Sequence, residues 1–312
     1  MVVFTVAALA SAIRLCRRER FEGCLVIQGI PGAWVAMPLS SWFGMPYVVA
    51  LVGADVPGFL PERFDRLHGR VAWLTRLTWR RAAGVAANSE SLRALAERTA
   101  APLGVVVDMV LYGADTTVFQ PPATPRPDDV VRFLFVGRLS TQKGIRFLLE
   151  ATARAANELR GRATIVVVGD GEDRDAVEAR AREERLEGVI DFRGWLSRED
   201  LAKCYAEASV FVLPSLDEGR SQAALEAMAS GLAVVATDIV GNAGLVEEGV
   251  NGVLVPPRDA AALAAALTTM VHLGPAKLAA MGDASRVRIG RFSWDGAAAH
   301  YLRSLEAARE AR

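Results

Sequence analysis

Ten short, unbroken apolar runs set the frame of this sequence: CLVIQG, YVVALVG, GVAANS and VVVDMVLYG in the first part, then FLFVG, TIVVVGDG, VIDFRG, SVFVLPS, AVVATD and GVLVPP. Each is followed by a stretch of helical periodicity. Strands with one wet face alternate apolar and polar residues, whereas strands buried on both faces read as continuous apolar runs. The pattern therefore predicts parallel sheets covered by helices on both sides. The fold class is α/β, and the recurrence of the pattern in two series predicts two doubly wound Rossmann-like domains. A composition 52% apolar but only 7% aromatic suits this plan better than a β-sandwich.

Between the two series lies FQPPATPRPDDVV, residues 119–131, which is proline-rich, carries an acidic pair and has no apolar period. It reads as an interdomain linker. At 312 residues the chain is long enough for about two domains. In an open α/β architecture the cleft at the carboxyl ends of the strands is the expected ligand site.

Lys plus Arg equals Asp plus Glu at 36 each, which removes any general argument for nucleic acid as a partner, so phosphate recognition has to be local. Cys16, Cys24 and Cys204 lie far apart with no CxxC pair, arguing against a disulfide framework or a zinc site and for a cytoplasmic setting. The opening MVVFTVAALASAIRLCRRER places an apolar run before charge, the reverse of a secretory signal. That run is shorter than the ~20 residues of a spanning helix. It reads as a packed helix with a basic end, the alternative being a surface anchor.

Three loops carry candidate chemistry. FLFVGRLSTQKG places Gly137, Arg138 and Lys143 just past a strand. A glycine there lets a ligand approach the backbone, and two cations five positions apart can clamp a diphosphate; spacing alone leaves a solvated turn equally open. VVVGDGEDR ends a strand in Gly169, Asp170 and Gly171, either a plain turn or a second close-approach wall. In PSLDEGRSQAALEAMASG, Ser221 is the expected N-cap of a helix. Glu218 then precedes that helix and Glu226 lies about five residues into it. The free amides of its first turn favour phosphate, and carboxylates beside them suit vicinal hydroxyls of a sugar. Two helix-end acids favoured by the macrodipole are the plain alternative.

In that order, VGRLSTQKG, VVGDGEDR, FRGWLSREDLAKCYAEASVFVLPSLDEGRSQAALEAMASGLAVVATD and GVNGVLVPPRDAAALAAAL resemble the successive motifs of family 4 glycosyltransferases of the GT-B fold. The resemblance covers residues 131–270 closely and extends more weakly to LYGADTTVFQP and FSWDGAAAHYLRSLEAA. It implies GT-B architecture: an incomplete acceptor-side Rossmann-like domain over 1–119, a linker over 120–130, a nucleotide-sugar domain over 131–292, and a helix over 293–312 packing back across the cleft. It implies a retaining, metal-independent hexosyltransferase acting in polysaccharide or glycoconjugate biosynthesis. The donor is a UDP- or GDP-sugar, the acceptor is a saccharide or lipid-linked group, and no further cofactor is needed. Carried over by position, Arg138 and Lys143 hold the diphosphate, Glu226 the ribose and Glu218 the donor sugar, with Gly219, Arg220 and Ser221 beside it. The backbone near Phe192 and Arg193 borders the base. Catalysis then falls to Arg138, Lys143 and Glu218, with the departing phosphate taking the acceptor's proton.

The chain departs from the family pattern in several places. Its first series lacks the family's opening strand and glycine-rich loop, which defines the expected truncation. Gln28 stands where a histidine is frequent, and Gly244 where a glutamate is common. Gly53 and Asp55 occupy a place resembling the acceptor-side loop, where Asp55 either orients an acceptor hydroxyl or forms a turn. His68, His272 and His300 read as surface or packing residues, and Asp173 and Asp175 as helix-start charge. RFDRLHGRVAWLTRLTWRRAAG interleaves arginines with Trp73 and Trp79, which reads as a helix with one packed and one basic face or as peripheral membrane contact at the inner face of the membrane. Two other functions stay open: a sugar-nucleotide-binding module without transfer activity, and a sugar-nucleotide epimerase.

Overall fold

The computed structural model describes residues 2–59, 61–124 and 130–311. The chain divides into two compact units, Met1–Tyr112 with Ser293–Arg312, and Gly113–Phe292. All ten apolar runs form strands, and every strand pairing is parallel.

In the first unit, β1 (Cys24–Ile27), β2 (Tyr47–Leu51), β3 (Gly84–Ala87) and β4 (Val107–Met109) lie side by side in sequence order. They alternate with α1 (Val2–Arg18), α2 (Gly29–Phe43), α3 (Pro61–Arg81) and α4 (Glu90–Ala100). One face of this sheet, through Val26, Val49, Leu51, Val85 and Val107, packs on Ala33 and Ala36 of α2, Trp79 of α3 and Leu92 of α4. Val48, Ala50 and Ala86 on the other face meet Ala297 and Tyr301 from the last helix of the chain.

The second unit holds β5 (Val131–Val136), α5 (Ile145–Arg154), α6 (Ala156–Leu159), β6 (Ala163–Val168), α7 (Arg174–Glu183), β7 (Ile190–Gly194), α8 (Arg198–Glu207), β8 (Val210–Leu213), α9 (Gln222–Ala229), β9 (Ala233–Thr237), β10 (Gly252–Val255) and α10 (Ala260–Ile289). The terminal helix α11 (Trp294–Glu310) belongs to the first unit. Strand order β10-β9-β8-β5-β6-β7 reverses its winding between β8 and β5, the point at which open α/β sheets bind ligands. Alternate residues sort cleanly by face. Phe133, Phe135, Ile165, Val167, Val210 and Val212 pack under α5, α7 and α10. Leu134, Val166, Phe211, Leu213 and Val234 pack under α8 and α9. Burial of each such side chain contributes roughly 1.5–3 kcal/mol. The stretch Ala260–Glu310 is apolar and long enough to cross a membrane by length and composition. Its Leu263, Leu267 and Met270 nonetheless sit in the core, as expected of an internal helix.

The division between units falls at Tyr112 and Gly113, ahead of the segment 120–130 read as a linker. Phe119 is buried edge-on against Tyr205 at 5.4 Å, within the second unit. Residues 125–129 of the expected linker lie outside the described residues.

Glycines set the spacing of the second unit's loops. Gly144 has φ +70°, and a Cβ there would lie 1.9 Å from the Pro214 carbonyl oxygen. Gly144→Ala is expected to cost at least about 2 kcal/mol through backbone strain and overlap, read as a lowered urea midpoint, whereas Gly161→Ala, with open space around it, costs less.

Candidate functional site

The loops after β5 and β8 flank the switch point and are strapped together. Leu216 N donates to the Gln142 carbonyl at 2.8 Å, and Gln142 Nε2 donates to the Asp217 carbonyl at 3.3 Å. This close approach brings Lys143 Nζ within 2.5 Å of Glu218 Oε1, the same oxygen that accepts from Ser215 Oγ at 2.8 Å. Glu218 is 7% exposed, so the cation and the hydroxyl hold a buried carboxylate in one orientation. An ammonium has three donors, and one is used here.

The loop after β9 seals the same carboxylate's backbone. A Cβ on Gly241 would lie 2.0 Å from the Glu218 carbonyl oxygen. Thr237 Oγ1 donates to the Ser215 carbonyl at 2.6 Å, and Asn242 Nδ2 to the Thr237 carbonyl at 2.9 Å. Burial, then the charge of Glu218, push the Asp217 carboxyl up.

Ser221 caps α9 as expected, its Oγ accepting from Ala224 N at 3.3 Å. The N–H groups of Gln222 and Ala223 precede the first intrahelical donor, Leu225 N, which gives to the Ser221 carbonyl. Arg220 follows Gly219, donates to the Ala243 carbonyl at 3.2 Å and lies 5.4 Å over the Phe292 ring. One turn into α9, Glu226 Oε2 accepts from Tyr205 Oη at 3.1 Å. Burial raises the Glu226 carboxyl above its usual 4.5, opposed by hydrogen bonds from Tyr205 and Gln222 and by the charge of Arg198.

The structure thus joins Lys143 and Glu218 directly, and sets Gly219, Arg220, Ser221 and Glu226 along the same loop and helix. Arg138 is exposed, with no ion pair or hydrogen bond among the described residues, and Gly137 beside it has room for a Cβ that would sit 3.8 Å from Lys143 Cδ. Gly169 and Gly171 have a packing role. A Cβ on Gly169 would lie 1.9 Å from the Gly137 carbonyl oxygen, and one on Gly171 2.4 Å from that of Leu139. Asp170 folds back on Gly171 N at 2.8 Å and is a turn former. Arg193 turns to Asp191 at 2.8 Å and to Cys204 Sγ at 3.4 Å.

Of the two readings of Asp55, its hydrogen bonds fit the turn-forming one. Asp55 is fully buried; its Oδ2 accepts from Gly29 N at 2.7 Å and its Oδ1 from Val52 N at 3.1 Å and Gly53 N at 3.0 Å. It ties the loop after β1 to the loop after β2, next to Gln28 at φ 72°, and Gly53 packs against Phe59. A groove of about 610 Å³ between α5 and α7 is lined by Arg146, Leu149 and Arg180 and does not include Lys143 or Glu218. Sequence reasoning missed Ser215, Tyr205, Gln142 and Asn242; only Ser215, three residues before Glu218, had a local signal.

A profile described as glycosyl transferases group 1 matches residues 131–272. The 2-deoxystreptamine glucosyltransferase of Streptomyces kanamyceticus is 30% identical over 285 residues, covering 83% of this chain and 70% of that protein. The chain belongs to the group 1 glycosyl transferases. The D-inositol 3-phosphate glycosyltransferase of Corynebacterium kroppenstedtii is 31% identical over 210 residues, covering 62% of this chain and 46% of that protein. This glycosyl transferase chain spans about half the length of such curated relatives. Sucrose-phosphate synthase from Thermosynechococcus elongatus matches its fold with a TM-score of 0.81 at 25% identity, over 96% of this chain and 77% of that one. The architecture is GT-B, with two parallel sheets.

Two outcomes follow for this group 1 chain. Lys143→Ala leaves a buried carboxylate with one hydroxyl partner and is expected to lower stability by about 1–3 kcal/mol, less than a fully buried pair because Lys143 is part-exposed. Adding Glu218→Gln should recover part of that loss in chemical denaturation. Because the folded state binds the Glu226 proton more tightly than the unfolded chain, this group's stability contribution is full below 4.5 and falls as pH rises through its folded pKa. Glu226→Gln should flatten the melting temperature against pH over that window, and Tyr205→Phe should widen it upward.

Proposed function

We propose that this chain is a retaining, metal-independent hexosyltransferase that moves a sugar from a UDP- or GDP-sugar to a saccharide or lipid-linked acceptor in polysaccharide or glycoconjugate assembly at the cytoplasmic side. The observation that carries this reading is the Lys143–Glu218 pair at the switch point of the second sheet. A cation beside a helix start supports a diphosphate, with the spare donors of Lys143 and the exposed guanidinium of Arg138 neutralising the charge that grows on the leaving group. Glu218, held by Lys143 and Ser215, has its second oxygen left to accept from donor-sugar hydroxyls. Glu226, half-buried beside Tyr205, suits the vicinal hydroxyls of a ribose, which would restore hydrogen bonds to a carboxylate that burial disfavours. With Glu218 committed to two donors, a binding role fits it better than a nucleophilic one. The departing phosphate then serves as the base for the acceptor hydroxyl.

The reading is tested by kinetics with UDP- and GDP-sugars. Arg138→Ala and Lys143→Ala are expected each to lower kcat/KM about 100- to 1000-fold, the loss of a charge pair with phosphate. Asp170→Asn, in the turn, should stay within about twofold. Full turnover in both cation variants removes the assignment. Donor binding by calorimetry without transfer or slow hydrolysis points instead to a binding module. Conversion of the donor with no acceptor present points to an epimerase.

A further inference from the structure

The arginine-rich segment noted in the sequence resolves into two faces on α3. Trp79 is 1% exposed and lies in the core of the first unit, whereas Trp73 is 66% exposed. Arg66, Arg70, Arg76 and Arg80 are exposed with it, and at 100° per residue these five positions fall within an arc of about 120°. None of the four arginines has an ion pair among the described residues, and Asp65 is the one acid among the described side chains of α3. Elsewhere in the chain Arg93, Arg146, Arg154, Arg174 and Arg198 each hold a carboxylate. In a chain whose charges balance at 36 and 36, an unpaired cationic stripe with an exposed indole at its centre is a local concentration of charge.

A second helix repeats this chemistry. Both α1 and α3 pack on α2, and α1 exposes Val3, Phe4 and Val6 ahead of the exposed Arg14, Arg17 and Arg18. We propose that the outward face of α3, with α1 beside it on α2, docks the protein on an anionic lipid surface. Arginines take headgroup phosphates and Trp73 sits at the boundary with the acyl chains. An indole is suited to that boundary because it has an apolar body and one polar N–H. The exposed aliphatic residues of α1 fit an acyl surface and offer nothing to a nucleic-acid base, which favours lipid over RNA.

The proposal rests on the functional reading only for its purpose, which is to bring the sugar site to a lipid-linked acceptor. Its test needs neither donor nor acceptor, so the two readings fail separately. The full chain is sedimented with vesicles of phosphatidylcholine alone and of phosphatidylcholine with phosphatidylglycerol. Binding is expected only to the anionic vesicles and should weaken as salt rises. Each arginine near such a surface is worth about fivefold, so Arg66→Ala with Arg70→Ala should weaken binding about 30-fold, and the matching Lys pair should retain it. Trp73→Ser should also weaken binding without a change in melting temperature. Equal binding to neutral vesicles, binding to neither, or an unchanged affinity in the double Ala variant overturns the proposal. So does single-stranded RNA that displaces the protein from vesicles through the same arginines.

Discussion

The candidate site depends on how closely backbone approaches backbone at the carboxyl ends of β5, β6, β8 and β9. Gly144 against Pro214, Gly169 against Gly137 and Gly241 against Glu218 each leave no room for a side-chain carbon. Without these approaches the loops after β5 and β8 would separate by at least the width of a methyl group, and Lys143 would no longer reach Glu218. Glycine at these positions fixes distance more than it supplies mobility. The polar side chains of the candidate site are carried by neighbouring residues whose positions the glycines set.

Two carboxylates eight positions apart in one segment end in different environments. Glu218 is buried but satisfied, by an ammonium and a hydroxyl. Glu226 has a phenol and an amide side chain beside it, and burial still raises its carboxyl. The first is held in place by the fold. The second keeps an unfavourable burial that its two neighbours only partly offset.

Much of this was legible in the order of residues. Every strand came from an unbroken apolar run, because burial on both faces leaves no polar alternation to confuse the pattern. Ser221 as a cap and Glu218 ahead of it followed from local rules of helix starts. Asp55 was not legible, since an aspartate near Gly and Pro looks the same whether it faces a ligand or closes a turn on Gly29 twenty-six residues away. Tyr205 and Gln142 were invisible for a related reason: their role is created by the register of elements far apart in sequence. The contact of Phe119 with Tyr205 was likewise hidden, because a composition-based reading of the linker does not weigh single aromatic partners.

On the proposed reading, the Lys143–Glu218 pair also governs which anions the site attracts. A pocket that carries its own counterion is nearly neutral, so a small free anion such as inorganic phosphate meets chiefly Arg138 and gains little there. On the proposed reading, a sugar nucleotide gains from both partners at once, oxygen to the ammonium and hydroxyl to the carboxylate. The pair would then act as a selectivity filter against small competing anions.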